Sequence, residues 1–266
     1  MNNRVTITPW RQAIQLISNR IDHMSQQHPQ TQFISCWDFD GTLIKGDIGE
    51  GLHTGKQQDY YGLAEEAIIR GFIPKYPDRD ALTLFWKDYK AIANKLSILT
   101  AYEYLVDCLY SIPAQRIEEF KALCIKLVDE HLSSYFYGHT RDLMKALNKK
   151  NVFPVIVSAS PQILIDAVVH HFPVDPAFAF GVGNRVADKS PFNYGEGKVT
   201  KLNSVCDTLK LRYGKKISPV FAIGDSWEND GAMMRLACQN GGLGLCINPS
   251  YTPEWVADFE IYCTKI

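Results

Sequence analysis

The stretch that decides the fold is residues 33–43, which read Phe-Ile-Ser-Cys-Trp-Asp-Phe-Asp-Gly-Thr-Leu. Its first five residues have the apolar character of a short buried strand. The strand runs directly into Asp38 and Asp40. Carboxylates at the end of a buried strand are unfavourable unless a cation or hydrogen-bond donors meet them. The stretch therefore predicts a strand that delivers two acids to a polar site.

The sequence on both sides of this strand predicts an α/β fold. A helix is expected at 10–27, and later apolar strands at 152–157, 220–223 and 243–247 alternate with helices at 139–150, 161–172, 198–213 and 229–238. One or two strands are expected within 177–187, and a short helix with an edge strand within 251–265. This alternation is typical of a mostly parallel sheet covered by helices on both faces.

Residues 46–137 differ from the rest of the chain. After a glycine-rich opening they are aromatic and predict helices at about 59–71, 79–93, 99–110 and 114–134, without strand alternation. We interpret this block as an all-helical cap inserted after the first strand. The predicted domains are an α/β core (1–45 and 138–266) and a cap (46–137).

Composition excludes several classes of partner. The 266 residues carry 28 basic and 29 acidic side chains, so no overall field attracts nucleic acid or an anionic membrane. The seven cysteines are odd in number and form no C-x-x-C pair, which favours reduced thiols. The sequence has no apolar segment near the N-terminus and no apolar run long enough to span a bilayer. We therefore expect a cytoplasmic protein.

Polar side chains follow three of the predicted strands. Asp38 and Asp40, then Ser158, then Asp225 each come where an apolar run stops. Ligands of open α/β sheets bind outside the carboxyl ends of the strands, so these groups are expected on one rim. Carboxylates meeting there require a hard cation such as Mg²⁺, and a carboxylate is able to attack phosphorus. A second acid two residues on projects to the same side and is suited to proton transfer.

Four segments in order resemble the motifs of haloacid dehalogenase superfamily phosphatases, specifically the phosphoserine phosphatase-like branch. They are Asp38 to Leu43, Val155 to Ser158, Gly195 to Lys198, and Ile223 to Asp230. The resemblance covers about 33–45 and 138–263. It implies a Rossmann-like core, with a cap that matches only in position and helical character.

The resemblance also implies a role for each matched residue. Asp38 would be the nucleophile and a metal ligand. Asp40 would be the general acid and base, and its carbonyl would bind the metal. Ser158 would bind the phosphoryl group and Lys198 would neutralise its charge; Ser160 and Lys201 are the alternatives. Ser160 is also a plausible N-cap for the following helix, with Pro161 as its first residue.

The fourth motif implies the remaining Mg²⁺ ligands. Asp225 would complete the metal site, and Asp230 would support it directly or through water. One extra residue separates these two acids compared with many relatives, so Glu228 is an alternative to Asp230.

The predicted activity is Mg²⁺-dependent hydrolysis of a small phosphomonoester through an aspartyl-phosphate. In similar proteins an acid at the position of Asp47 faces the substrate's amine, which suggests phosphoserine, phosphoethanolamine or phosphocholine; Glu50 is a competitor. The cap aromatics raise the idea of a cation–π site for a choline-like group. The alternatives are a phosphotransferase that uses the same intermediate and a binding or regulatory protein without turnover.

One further pair of candidate ligands stands outside these motifs. His170 and His171 are adjacent, but the sequence shows no glutamate or third ligand near them. We interpret the pair as the end of a helix.

Overall fold

The computed structural model describes residues 7–54, 57–184 and 191–266. Its strands are β1 (Thr31–Trp37), β2 (Leu52–Thr54), β3 (Gln57–Tyr60), β4 (Val152–Pro161), β5 (Ala179–Val182), β6 (Lys216–Gly224), β7 (Leu243–Ile247) and β8 (Ile261–Thr264). Its α-helices are α1 (Trp10–Gln27), α2 (Leu63–Ile69), α3 (Leu82–Lys95), α4 (Ile98–Tyr110), α5 (Ile117–Glu130), α6 (Gly138–Lys149), α7 (Gln162–Val168), α8 (Glu196–Tyr213) and α9 (Trp227–Gln239).

In the described part of the chain, six strands form one sheet in the spatial order β5-β4-β1-β6-β7-β8. Every neighbouring pair in this sheet is parallel. The strand that carries Asp38 is central, with β4 on one side and β6 on the other. The predicted α/β class is confirmed, and the carboxyl ends of these three strands lie together.

Helices pack on both faces of the sheet. Because the side chains of a strand alternate between the two faces, each strand contributes to both cores. Phe33 and Trp37 of β1 join a core that includes buried residues of α1 and α6. Ile34 and Cys36 join a second core with α8 and α9. Near-continuous burial along β1 and β6 is the pattern expected for a doubly covered parallel sheet.

The second motif strand is longer than the sequence predicts. β4 continues through Ser158 and Ser160 to Pro161, and α7 begins at Gln162. The expectation that Ser160 caps this helix is wrong, because its hydroxyl donates to Asp40 instead. Pro161 occupies the N-cap position rather than the first helical one. The predicted strand region 177–187 corresponds to β5, and residues 185–187 lie outside the described part of the chain.

Between β1 and β4 the chain is mainly helical, as predicted, but it is not free of strands. β2 and β3 pair antiparallel, so the first helix begins at Leu63 rather than near residue 59. The reason is local: Asp47 and Gly51 exchange two backbone hydrogen bonds, and Gly51 has a φ of +85°, which turns the chain before β2. The division into a core and a cap domain stays a prediction.

Two further expectations concern the cysteines and the membrane. All seven cysteines are free thiols. Among the residues that the structure describes, no helix combines the length and the apolar character needed to cross a membrane.

The close approach of β6 and β7 depends on Gly242. A Cβ atom there would lie 1.8 Å from the carbonyl oxygen of Val220, which is backbone and cannot move aside easily. We expect Gly242→Ala to lower the free energy of unfolding by about 1–3 kcal/mol through overpacking. Gly138→Ala is the control, since a Cβ there meets no atom within 4 Å. Denaturant unfolding of both variants measures the difference; equal stability would contradict the proposed constraint.

Candidate active site

Asp38 lies just beyond the end of β1 and is almost fully buried. Its backbone N–H donates to the carbonyl of Ile223 on the neighbouring β6, which continues the sheet pairing by one residue. Its Oδ1 accepts from Nζ of Lys198 at 2.5 Å, and its Oδ2 accepts from Oγ1 of Thr42 at 3.1 Å. The carboxylate is therefore held in one orientation by groups on different elements.

The turn after Asp38 brings Asp225 close, and Gly41 makes this possible. Gly41 has a φ of +69°, a conformation that favours glycine. A Cβ at this position would lie 2.0 Å from Oδ2 of Asp225. Glycine at position 41 is thus required both by the backbone conformation and by the closeness of Asp225.

Asp40 contacts a different set of partners from Asp38. Its Oδ1 accepts from the backbone N–H of Ile48 at 2.7 Å, and its Oδ2 accepts from the hydroxyls of Ser160 at 2.7 Å and Ser158 at 3.3 Å. Burial, followed by repulsion from Asp47 and Asp38, raises the pKa of Asp40 well above its usual range. A carboxyl group with a raised pKa is suited to donating a proton.

The two serines of the second motif occupy different environments. Ser158 is fully buried, and its Oγ accepts from the backbone N–H of Ser160 at 2.9 Å. Ser160 lines the large cavity beside Asp38 and Asp40, whereas Ser158 lies behind that lining. The predicted phosphoryl contact of Ser158 stays a prediction, and Ser160 is the hydroxyl that the cavity reaches.

Lys198 is fully buried near the start of α8. Its Nζ donates to Asp38 at 2.5 Å and to Oδ1 of Asp230 at 2.6 Å. Burial alone would lower the pKa of Lys198, but Asp230 and Asp38 raise it above its usual value, so the ammonium stays charged. Lys201, the alternative, places its Nζ over the ring of Phe180.

Of the three acids in the fourth motif, Asp225 and Glu228 line the cavity and Asp230 is buried behind it. Asp225 follows β6 and lines the cavity, as does Glu228, which accepts from the Tyr251 hydroxyl. Asp230 is fully buried, and its Oδ2 accepts from the backbone N–H groups of Asp225 and Ser226 at 3.1 Å each. The structure therefore brings Asp230, rather than Glu228, next to Lys198.

Asp38, Asp225 and Asp230 could together hold a metal ion. One carboxylate oxygen from each lies within 4.8 Å of the others. Burial, then repulsion from Asp38, raises the pKa of Asp225 to about 8 and that of Asp230 to about 7. Hard oxygen ligands that repel one another fit a Mg²⁺ ion, which would offset this repulsion. Among the described residues the Asp225 carboxylate has no hydrogen-bond partner, whereas each carboxylate oxygen of Asp230 has at least one.

These residues open onto a cavity of about 660 Å³. Segment 46–50 and helix α4 form part of its wall, with Asp47, Glu50, Tyr102 and Leu105. Of the described residues that line it, six are carboxylic acids and none is Lys, Arg or His. The cavity is therefore strongly acidic outside the buried ammonium of Lys198.

Asp47 and Glu50, the candidate substrate-binding acids, both line this cavity. Oδ1 of Asp47 accepts from the N–H groups of Gly49 and Glu50 at 2.7 Å each, and Glu50 accepts from the Tyr89 hydroxyl. Burial raises the pKa of Asp47 to about 7, with Glu50 as the next cause. Burial also raises the pKa of Glu50 to about 7.

Sequence reasoning assigns no role to three groups at this site. Thr42 donates to Asp38, and its place in the first motif is the signal that could have identified it. Asn229 lines the cavity, and its Oδ1 is buried with no hydrogen-bond partner among the described residues. Tyr194 reaches the cavity from the loop before α8, and no local pattern in the sequence indicates this.

The chain matches the family model of haloacid dehalogenase-like hydrolases over residues 36–235. The chain belongs to this family, and the prediction of an enzyme of the haloacid dehalogenase type is confirmed. Among curated proteins, none is similar enough in sequence to count as a relative.

Solved structures share the fold at low sequence identity. A protein of unknown function from Bordetella pertussis Tohama I is 14% identical with a TM-score of 0.63, covering 87% of this chain and 98% of that one. A functionally unknown protein from Anaerococcus prevotii DSM 20548 is 16% identical with a TM-score of 0.56, covering 98% and 93%. Cytosolic 5'-nucleotidase IIIB bound to cytidine is 14% identical with a TM-score of 0.54, covering 94% and 86%.

The raised pKa values of Asp225 and Asp230 predict how stability depends on pH and Mg²⁺. A carboxyl with a raised pKa binds its proton in the folded state, so without metal stability falls as pH rises from about 4 to about 8. A Mg²⁺ ion would bind the ionised acids. We therefore expect Mg²⁺ to raise the melting temperature by about 2–4 °C more at pH 8 than at pH 6.

Thermal unfolding with and without Mg²⁺, at matched ionic strength, measures this effect. Asp225→Asn should lose most of the difference between the two pH values. An equal Mg²⁺ effect at both pH values in the wild-type protein would contradict the prediction.

Proposed function

We propose that the protein is a Mg²⁺-dependent phosphomonoester hydrolase that forms an aspartyl-phosphate on Asp38. The observation that carries this proposal is the pairing of Asp38 with the buried ammonium of Lys198, next to Asp40 on the wall of one cavity. Membership in the haloacid dehalogenase-like hydrolase family supports it.

In the first step a carboxylate oxygen of Asp38 attacks phosphorus. A bond forms between that oxygen and phosphorus, and the bond from phosphorus to the ester oxygen breaks. Asp40 gives its proton to the departing oxygen, which leaves as an alcohol. The raised pKa of Asp40 supports this role, because it favours the protonated form that donates to the leaving oxygen.

In the second step Asp40, now ionised, accepts a proton from water as the water oxygen attacks phosphorus. The bond between phosphorus and Asp38 breaks, inorganic phosphate leaves, and both acids return to their starting states. Lys198 stays charged throughout and offsets negative charge on Asp38 and the phosphoryl group.

Asp38, Asp225 and the backbone carbonyl of Asp40 would hold the Mg²⁺ ion, with Asp230 supporting them. When bound, the ion supplies positive charge that lowers repulsion between the carboxylates and the phosphate. Asp230 has a supporting role because its two oxygens already accept from Lys198 and from two backbone N–H groups. Ser158 would bind the phosphoryl group as the motif implies; Ser160 is the alternative because it lines the cavity.

Asp38→Asn tests the nucleophile. The amide is almost the same size but cannot form the phosphoryl bond, so we expect hydrolysis of an aryl phosphate to fall at least about a thousandfold. Steady-state phosphate release with saturating Mg²⁺ measures the loss.

The control for this experiment is Asp207→Asn, which makes the same change at an exposed position on α8. It should retain wild-type activity. Retained activity in Asp38→Asn would contradict the assignment. Product analysis with added alcohol distinguishes the outcomes further, since a phosphorylated alcohol in place of inorganic phosphate favours a phosphotransferase.

The cavity favours a substrate that carries an amine. Asp47 and Glu50 lie outside the cluster formed by Asp38, Asp225 and Asp230, and their pKa values are raised to about 7 by burial. An ammonium group beside them would stabilise their ionised forms. Phosphoethanolamine, phosphocholine and phosphoserine all have such a group.

Glu50→Gln tests this preference. The amide keeps an oxygen for the Tyr89 hydroxyl but removes the charge. We expect kcat/KM for phosphoethanolamine to fall about 10–100-fold, the range for a lost charged contact. Activity on 2-hydroxyethyl phosphate, in which a hydroxyl replaces the amine, should change less than about twofold. Equal losses on both substrates would show that Glu50 does not recognise the amine.

A further inference from the structure

His170, His171 and Asp129 form a second group of possible metal ligands, separate from the carboxylate cluster of Asp38. The two histidines lie in a 3-10 turn, Val169–His171, directly after α7, and Asp129 lies in the last turn of α5. Nε2 of each histidine is 2.9 Å from the same oxygen, Oδ1 of Asp129. Asp129 and His170 are 41 positions apart in the sequence, so packing of α5 against α7 brings them together.

We propose that these three side chains form a binding site for a divalent transition-metal ion of the Zn²⁺ class. Two imidazole nitrogens and one carboxylate oxygen lie within 4.8 Å of one another. Imidazole ligands favour Zn²⁺ and its neighbours over Mg²⁺ or Ca²⁺, which prefer oxygen.

The three ligand atoms lie close to the spacing that such an ion requires. Metal–ligand bonds of about 2.0–2.2 Å at the tetrahedral angle place two ligand atoms about 3.3–3.6 Å apart. The observed N···O separations of 2.9 Å are shorter than this by about half an ångström. A small movement that aims all three atoms at a common centre would convert the hydrogen bonds into a coordination site.

The histidines are also held in place and open to solvent. The ring of His171 packs edge-on against Phe136 at 5.3 Å, and the two imidazole rings lie 4.2 Å apart. The side chain of His170 is 46% exposed and that of Asp129 is 49% exposed, so an ion could enter and waters could complete its coordination.

The site would join two separate parts of the chain. Asp129 belongs to the helical segment between β1 and β4, whereas the histidines follow β4. Phe136 also contacts Phe39, which lies between the candidate nucleophile and the candidate acid. A bound ion would fix α5 to this packing, and we expect it to raise the melting temperature.

Calorimetric titration of Zn²⁺ into the whole protein tests the site. The titration is carried out in millimolar Mg²⁺, which competes with Zn²⁺ for the carboxylate cluster. We expect one saturable Zn²⁺ ion per chain. His170→Ala and His171→Ala should each weaken its binding at least about tenfold.

His131→Ala is the matched control because His131 is exposed and close in sequence to Asp129 but outside the cluster. It should bind Zn²⁺ like the wild-type protein. The electron paramagnetic resonance spectrum of bound Cu²⁺ should show nitrogen ligands that both cluster variants reduce. Wild-type Zn²⁺ affinity in both variants, or no saturable binding beside Mg²⁺, would overturn the proposal. These readouts measure binding directly and do not depend on phosphatase activity.

Discussion

The rest of the site depends on the buried ammonium of Lys198. A charge without access to water is tolerated only when paired, and here Asp38 and Asp230 both accept from it. This requirement fixes three elements at once: the end of β1, the start of α8 and the first turn of α9. The backbone N–H of Gly195 donates to the carbonyl of Asn229 at 2.9 Å, which joins the two helices at the same point.

The two acids of the first motif, Asp38 and Asp40, have different surroundings. Asp38 accepts from the Lys198 ammonium and from the Thr42 hydroxyl. Asp40 faces two serine hydroxyls and neighbouring carboxylates, and its pKa is raised. Identical side chains two residues apart thus have different partners, an ammonium for Asp38 and hydroxyls for Asp40, which matches the different roles proposed for them.

The sequence predicted most of the sheet and the residues that meet beside β1, because parallel strands align their carboxyl ends and each strand ended in a polar residue. It failed where long-range contacts overrode a local pattern. Ser160 has the sequence features of a helix cap, yet its hydroxyl donates to Asp40, because β4 continues past Ser158. The hairpin β2–β3 was missed because its short, polar strands lack a clear alternation.

By itself the sequence determined the α/β class, the first strand and the acids that follow it, since apolar runs and the residues at their ends are local features. Only the tertiary structure decided which acid accompanies Lys198, because a helical turn positions Asp230 inward and leaves Glu228 at the cavity. It likewise decided that His170 and His171 have Asp129 as a partner. Packing between helices that are distant in sequence makes that contact, so no local sequence pattern predicts it.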